Sequence, residues 1–263
     1  MTSDEAKQLP AWRSAAGIQG RRWRKGLATT AVGRRGPNGR GARMLTPGVE
    51  GLEDRSLLAA ITWNTTAAPT GGDWNVAGNW NGGKVPGLND TASIAQLTSP
   101  GTVYLNSGIS DSVSSLTTDS SVNLKVITGS LSLGVASSST LGGPVTVVAG
   151  ASLSVGAGAN VKLNGNQTIT DNGTLSFAAG DVVSLSLSGN GSQIAVNGLL
   201  SATSTTFQNA DCCGSTSIAV NSGGEIAATN STFSLSSLSL DNSSVLKPTD
   251  LTGDTFNLPI YVP

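Results

Sequence analysis

The adjacent Cys212 and Cys213, in "NADCCG", are the only thiols of a 263-residue chain that contains no histidine. Without His the chain lacks the usual general base, the Ser-His-Asp arrangement and the commonest metal ligand. Two thiols cannot complete a zinc site alone, so no metal is expected at this pair. The chemistry left to them is oxidation. An oxidising exterior favours a vicinal disulfide at a turn, or a bond to another molecule, over free thiols. The plainer alternative is two cysteines at an exposed bend without a role.

Acid-base chemistry is equally sparse. Residues 61–263 hold no Arg, four Lys well separated in sequence (Lys84, Lys125, Lys162, Lys247) and no Asp-Asp pair. Paired carboxylates are the minimum for ordinary glycoside hydrolysis. "TDNGT" and "SGNGS", with Asp171 and Asp181 nearby, could offer oxygen ligands to calcium. One acid per loop is too few for tight binding, and Asn-Gly is first a turn signal. The expectation is a non-catalytic protein with no cofactor. Trp63, Trp74 and Trp80 remain, as a cap over an apolar end or as a platform on which sugar rings stack.

Stepping out from these residues, the chain divides by charge. Residues 1–60 carry eleven Lys/Arg against five acids, and the remainder four Lys against eleven acids, so +6 is followed by -7. A basic "RRGPNGRGARM" could neutralise phosphates, but its Gly, Arg and Pro content is also that of a disordered leader. We read it as the latter, with no nucleic-acid partner. No stretch approaches the roughly 18 apolar residues of a membrane span. Charged residues make up 12%, aromatics 4%, and Gly numbers 34. Such a chain cannot fill a core with large rings and must stack small and β-branched side chains regularly.

A recurring motif shows how. Two aliphatics, a polar step, Gly, then alternate aliphatics recur in "VYLNSGIS", "VITGSLSL", "VVAGASLSV", "ITDNGTLSF", "IAVNGLLSA" and "IAVNSGGEIAA". The glycines are Gly108, Gly129, Gly150, Gly173, Gly198 and Gly223, at intervals of 21, 21, 23, 25 and 25 residues. Alternation places Leu, Val and Ile on one side of a strand and Ser, Thr and Asn on the other, and Gly supplies a φ > 0 corner. A unit of about two dozen residues bends through two or three strands and cannot bury its own apolar side. Stacking at about 4.8 Å per coil solves this. A β-sandwich also offers alternating strands, but it has no reason to repeat one Gly motif at near-constant spacing. The predicted fold is all-β, a single-stranded parallel β-helix of roughly six to eight coils. Leu153, Leu175 and Ile226 point inward in this reading.

Two stretches resemble known families. "MLTPGVEGLEDRSLLAA", residues 44–60, is similar to the N-terminal LE-x-R-x-LL surface-sorting motif of large extracellular proteins of planctomycete bacteria; the matching positions are Leu52, Glu53, Asp54, Arg55, Leu57 and Leu58. "WNVAGNWNGGKVPGLND", with Trp74, Asn79, Trp80, Gly83, Pro86, Gly87, Asn89 and Asp90, resembles the opening segment of β-solenoid surface proteins of the autotransporter-passenger type. There the Trp cluster caps the open end of the strand stack. The resemblances imply a leader with sorting motif over residues 1–60 and a Trp-rich cap over 61–98; the Gly period places coils over 99–240, and Pro248, Pro259 and Pro263, which cannot donate to a ladder, suit a terminal cap over 241–263. They imply a secreted or cell-surface spacer or adhesin-like element, meeting cell-wall or extracellular polysaccharide or surface proteins. The alternative reading is a polysaccharide-binding or polysaccharide-degrading β-helix.

Overall fold

Period-two alternation becomes strand after strand with one buried edge. Thr91–Ile94, Ser130–Leu133, Ser152–Val155 and Thr174–Phe177 each bury every second residue and leave Ser or Thr on the outer side. The computed structural model describes residues 59–186, 191–210, 215–241, 245–246 and 253–261. Leu52, Glu53, Asp54, Arg55, Leu57, Leu58, Cys212 and Cys213 lie outside them. Among the described residues there is no α-helix, and one 3-10 turn spans Ala77–Asn79.

These strands form three all-parallel sheets of nine, nine and seven strands. The chain visits them in rotation, so that each coil contributes one strand to each face of a β-solenoid. In the first complete coil these are Thr91–Ile94 on the first face, Gly101–Leu105 on the second and Ser110–Val113 on the third. Seven complete coils follow from the seven strands of the third face. Ala60–Thr62 and Gly71–Asp73 make a partial coil before them, and Thr255–Phe256 and Ile260–Tyr261 one after. Stacked residues of the complete coils are separated by as few as 20 positions (Ser110 and Ser130) and as many as 26 (Leu199 and Glu225), whereas the partial coil before them stacks at 31 (Ala60 and Thr91).

Identical registers carry the core. Leu131, Leu153, Leu175, Leu200 and Ile226 succeed one another on the third face, and Val145, Ile169, Ile194, Ile218 and Leu238 on the second. All are buried, and each contributes about 1.5–3 kcal/mol by leaving water. On the first face the column reads Ser139, Val161, Val183, Phe207, Phe233 and Phe256. Ser139 is buried, and its Oγ accepts the Leu116 N–H (3.1 Å), which satisfies the hydroxyl inside an aliphatic stack. Phe207 and Phe233 lie nearly parallel with centroids 4.9 Å apart, as do Phe233 and Phe256. That separation is the coil spacing itself.

Five glycines of the motif resolve into two kinds of corner residue, and the sixth, Gly129, combines them, one position before its strand with φ of 77° and a Cβ that would lie 2.1 Å from the Ile109 carbonyl oxygen. Gly108, Gly150 and Gly223 sit two positions before a third-face strand with φ of 70°, 83° and 80°, as expected for a left-handed turn. Gly173 and Gly198 sit one position before it and are not left-handed. A Cβ at Gly173 would lie 2.3 Å from the Ala151 carbonyl oxygen, and one at Gly198 2.3 Å from that of Gly173. Close stacking of backbones, not φ, requires Gly there. The corner from third to first face holds a left-handed residue in six coils: Ala136, Gly158, Gly180, Ser204, Asn230 and Gly253. Each stands two positions before a first-face strand. Three of the six carry side chains, at the cost of strain that L-residues normally avoid.

Candidate functional site

Trp63, Trp74 and Trp80 come together in the first partial coil. Trp80 meets Trp63 edge to face at 4.9 Å and Trp74 at 4.7 Å. Trp63 Nε1 donates to the Ala68 carbonyl (3.0 Å) and Trp80 Nε1 to that of Trp74 (2.7 Å), whereas the buried Trp74 Nε1 has no partner. The three residues are only 2%, 0% and 1% exposed. Their rings fill the beginning of the core, and no face is open for a sugar to stack on. Asn79 secures the cluster by donating from Nδ2 to the Asp73 carbonyl (2.8 Å).

The turn after the cluster is organised by Asp90. Its Oδ2 accepts the Gly87 N–H (2.9 Å) and the Lys84 ammonium (2.8 Å), while the Asp90 N–H donates to the Gly87 carbonyl. Burial disfavours the charge, but Lys84 and the Gly87 N–H outweigh it and hold the Asp90 pKa below the usual value. This explains the Gly-x-x-Pro-Gly-x-Asn-Asp pattern as a folded clamp: Thr91, next in sequence, pairs with Ala60 in the first face.

Other carboxyls serve the corners rather than a shared centre. Asp171 stands between Val147 and Val196 in an inward column of the second face, wholly buried. Its Oδ1 accepts the Gly173 N–H (3.0 Å), and its Oδ2 has no partner. Burial pushes its pKa up to about 6 against the pull of that one N–H. Asp181, at the third-to-first corner, accepts the N–H groups of Ala159 (3.0 Å) and Ala178 (2.7 Å), and burial raises its pKa despite them. Asp254 takes the Ser231 N–H in the same way three coils on, and between them Ser231 Oγ accepts the Thr205 N–H (3.2 Å). Burial, then the Asp73 carboxylate nearby, raises Asp111. Among the described residues no three of His, Cys, Asp and Glu could hold a metal ion together. Asp171 and Asp181, considered above as oxygen donors to calcium, spend their oxygens on backbone N–H groups or face the core.

Two features were not anticipated. Asn172, Asn197 and Asn221 form an amide ladder at the second-to-third corner, Asn197 donating to Asn172 (2.9 Å) and Asn221 to Asn197 (2.7 Å). Its signal was present, since these residues share the interval of the glycines. At the first-to-second corner lie two polar depressions. One, of about 410 Å³, is lined by Asn166, Thr168, Ser192, Gln193, Ser215 and Ser217. The other, of about 370 Å³, is lined by Thr118, Asp119, Gly142, Asn164 and Gln167. Residues 164–168 wall both. No helix among the described residues is long and apolar enough to cross a membrane.

Set beside known protein families, curated proteins and solved structures, the chain matches none of them.

Proposed function

We propose that the protein is a non-catalytic, secreted or cell-surface solenoid that acts as a spacer or adhesin-like element. The reading rests on one observation above the rest, the outer surface of the seven coils. Ser, Thr, Asn and Gln occupy most outward positions, from Ser110 and Ser112 through Ser130, Ser132, Ser152 and Ser154 to Thr174 and Ser176 on the third face. Such a surface is hydrated and nearly uncharged, which suits a rod lying among polymers without indiscriminate attachment. Of the titratable groups described above, Lys84 and Asp90 pair within one turn, Asp181 and Asp254 bind backbone N–H groups at corners, and Asp171 lies in the core. The export reading is supported by the resemblance of residues 44–60 to a sorting motif and by the change from +6 to -7 across it.

The test is to recover the protein from culture supernatant and cell envelope and determine its mature N-terminus by mass spectrometry. Recovery from either fraction supports the reading, as does loss of export when Arg55, Leu57 and Leu58 are replaced together by Ala. Retention of the intact chain inside the cell refutes it. So does turnover of a polysaccharide that depends on an acidic residue.

A further inference from the structure

The first-to-second corner carries more than a solvated edge. The residues lining its two depressions come from five successive coils, through Thr118, Gly142, Asn164, Gln193 and Ser217. At about 4.8 Å per coil the lined stretch runs roughly 19 Å along the stacking axis. Similar groups recur at each step, because Gln193 stacks on Thr168 and Ser217 on Gln193, with Gln193 Nε2 donating to Ser217 Oγ (3.2 Å). A surface with a translational repeat is matched by a ligand with one, and a coil step is close to the length of one sugar in an extended β-linked chain.

The chemistry of the lining narrows the class. Amides and hydroxyls both donate and accept, as sugar hydroxyls do. Among the described residues the lining has no Lys or Arg, and its one carboxylate there, Asp119, is already engaged by the Ser121 N–H (2.9 Å) and Oγ (2.8 Å). A nucleic acid or a polyuronate would find no cation here. In the wall, Ser192 is 1% exposed and its Oγ has no hydrogen-bond partner. A buried hydroxyl in that state requires an explanation, and a polar ligand in the depression supplies one.

We propose that this corner binds an uncharged, hydroxyl-rich polysaccharide lengthwise, along the coil axis. The proposal rests on the extracellular reading above for where the polymer is met. Without an aromatic platform each sugar contributes modestly, so affinity accumulates with the number of sugars engaged at once.

The experiment uses the full chain and titrates cello-oligosaccharides of two to six residues by calorimetry, with polygalacturonate as the anionic comparison. Affinity is expected to rise about tenfold or more between two and five sugars. Asn164→Ala with Gln193→Ala removes two amides, and Ser217→Arg obstructs the depression; each should weaken hexasaccharide binding about tenfold at an unchanged thermal midpoint. Having two independent variants keeps the test decisive if one fails to fold. Ser176→Ala, on the third face, should bind as the parent does. Absence of hexasaccharide binding, binding indifferent to length or to the corner variants, or preference for polygalacturonate overturns the proposal. Export is measured separately: an exported protein that does not bind refutes the corner alone, and a binding protein that stays in the cell refutes the extracellular reading alone.

Discussion

Replacing Asp171 by Asn should make the solenoid markedly less sensitive to pH. The Asp171 carboxyl is wholly buried in a column otherwise made of Leu105, Val126, Val147, Val196, Val220 and Leu240, with a single N–H, that of Gly173, to support its charge. Its pKa is about 6 in the fold against an ordinary 3.8. Because the folded value is the higher, the folded chain holds this proton more tightly than the unfolded chain does. The group's stabilising contribution is therefore complete below about pH 4 and lost as the pH rises through about 6. At about 1.4 kcal/mol per pH unit the loss at neutral pH is about 3 kcal/mol. Asn cannot ionise, and its carbonyl oxygen can still accept from Gly173. Its amide leaves a buried donor unpaired, at about 1–3 kcal/mol, but that cost does not vary with pH. The comparison is the difference in urea-unfolding free energy between variant and parent, followed by circular dichroism from pH 3.5 to 7.5. Asp111, Asp181 and Asp254 titrate in both proteins and cancel. The difference should shift by about 3 kcal/mol in favour of the variant between the two ends of the range. A difference that stays flat refutes the burial argument for this residue.

Leu175→Asp should cost several kcal/mol, since it places an unpaired charge in the third-face column, whereas Ser176→Asp on the outer side should change stability by about 0.5 kcal/mol or less; equal thermal shifts would contradict the alternation. Cys212 and Cys213 should be oxidised in exported protein, which intact mass before and after reduction with thiol alkylation checks directly. A chain beginning at Ala59, which keeps the strand Ala60–Thr62 and its pairing with Thr91, should hold the thermal midpoint and β-sheet dichroism of the full chain while losing export, because the Gly, Arg and Pro content of the preceding residues cannot bury enough apolar surface to offset ordering.

Much of this fold could be read in advance because two periodicities act together. Alternation marked which of Leu175 and Ser176 points inward, and the recurring Gly motif announced coils of about two dozen residues. The seven complete coils lie within the six to eight anticipated. What escaped was position within the corner. Gly150 and Gly173 look alike in sequence, yet one answers a left-handed φ and the other a carbonyl 2.3 Å from its absent Cβ. The second left-handed corner was hidden because Ala136, Ser204 and Asn230 share it with glycines. Asp171 makes the local turn that Asp-Asn-Gly suggests, its Oδ1 accepting the Gly173 N–H, but its place on the inner side of strand Thr168–Asp171 buries the carboxyl, which the turn signal does not reveal. The polar depressions had no linear signature at all. Their walls are residues two dozen positions apart that only stacking makes neighbours.

The parallel stacking of every sheet also sets how the molecule bears a load. Its strands run across the coil axis, so a pull between the two ends of the described solenoid opens backbone hydrogen bonds one coil at a time, as a zipper opens, rather than shearing a whole sheet together. A coil occupies only about 4.8 Å of axis while folded. The 22 residues from Leu131 to Leu153 that make up one coil span about 75 Å when drawn out. Each coil surrendered under tension thus lengthens the chain about fifteenfold over its folded rise. The stack is stiff in compression and compliant in extension, and its reach grows in discrete steps before any covalent bond is strained.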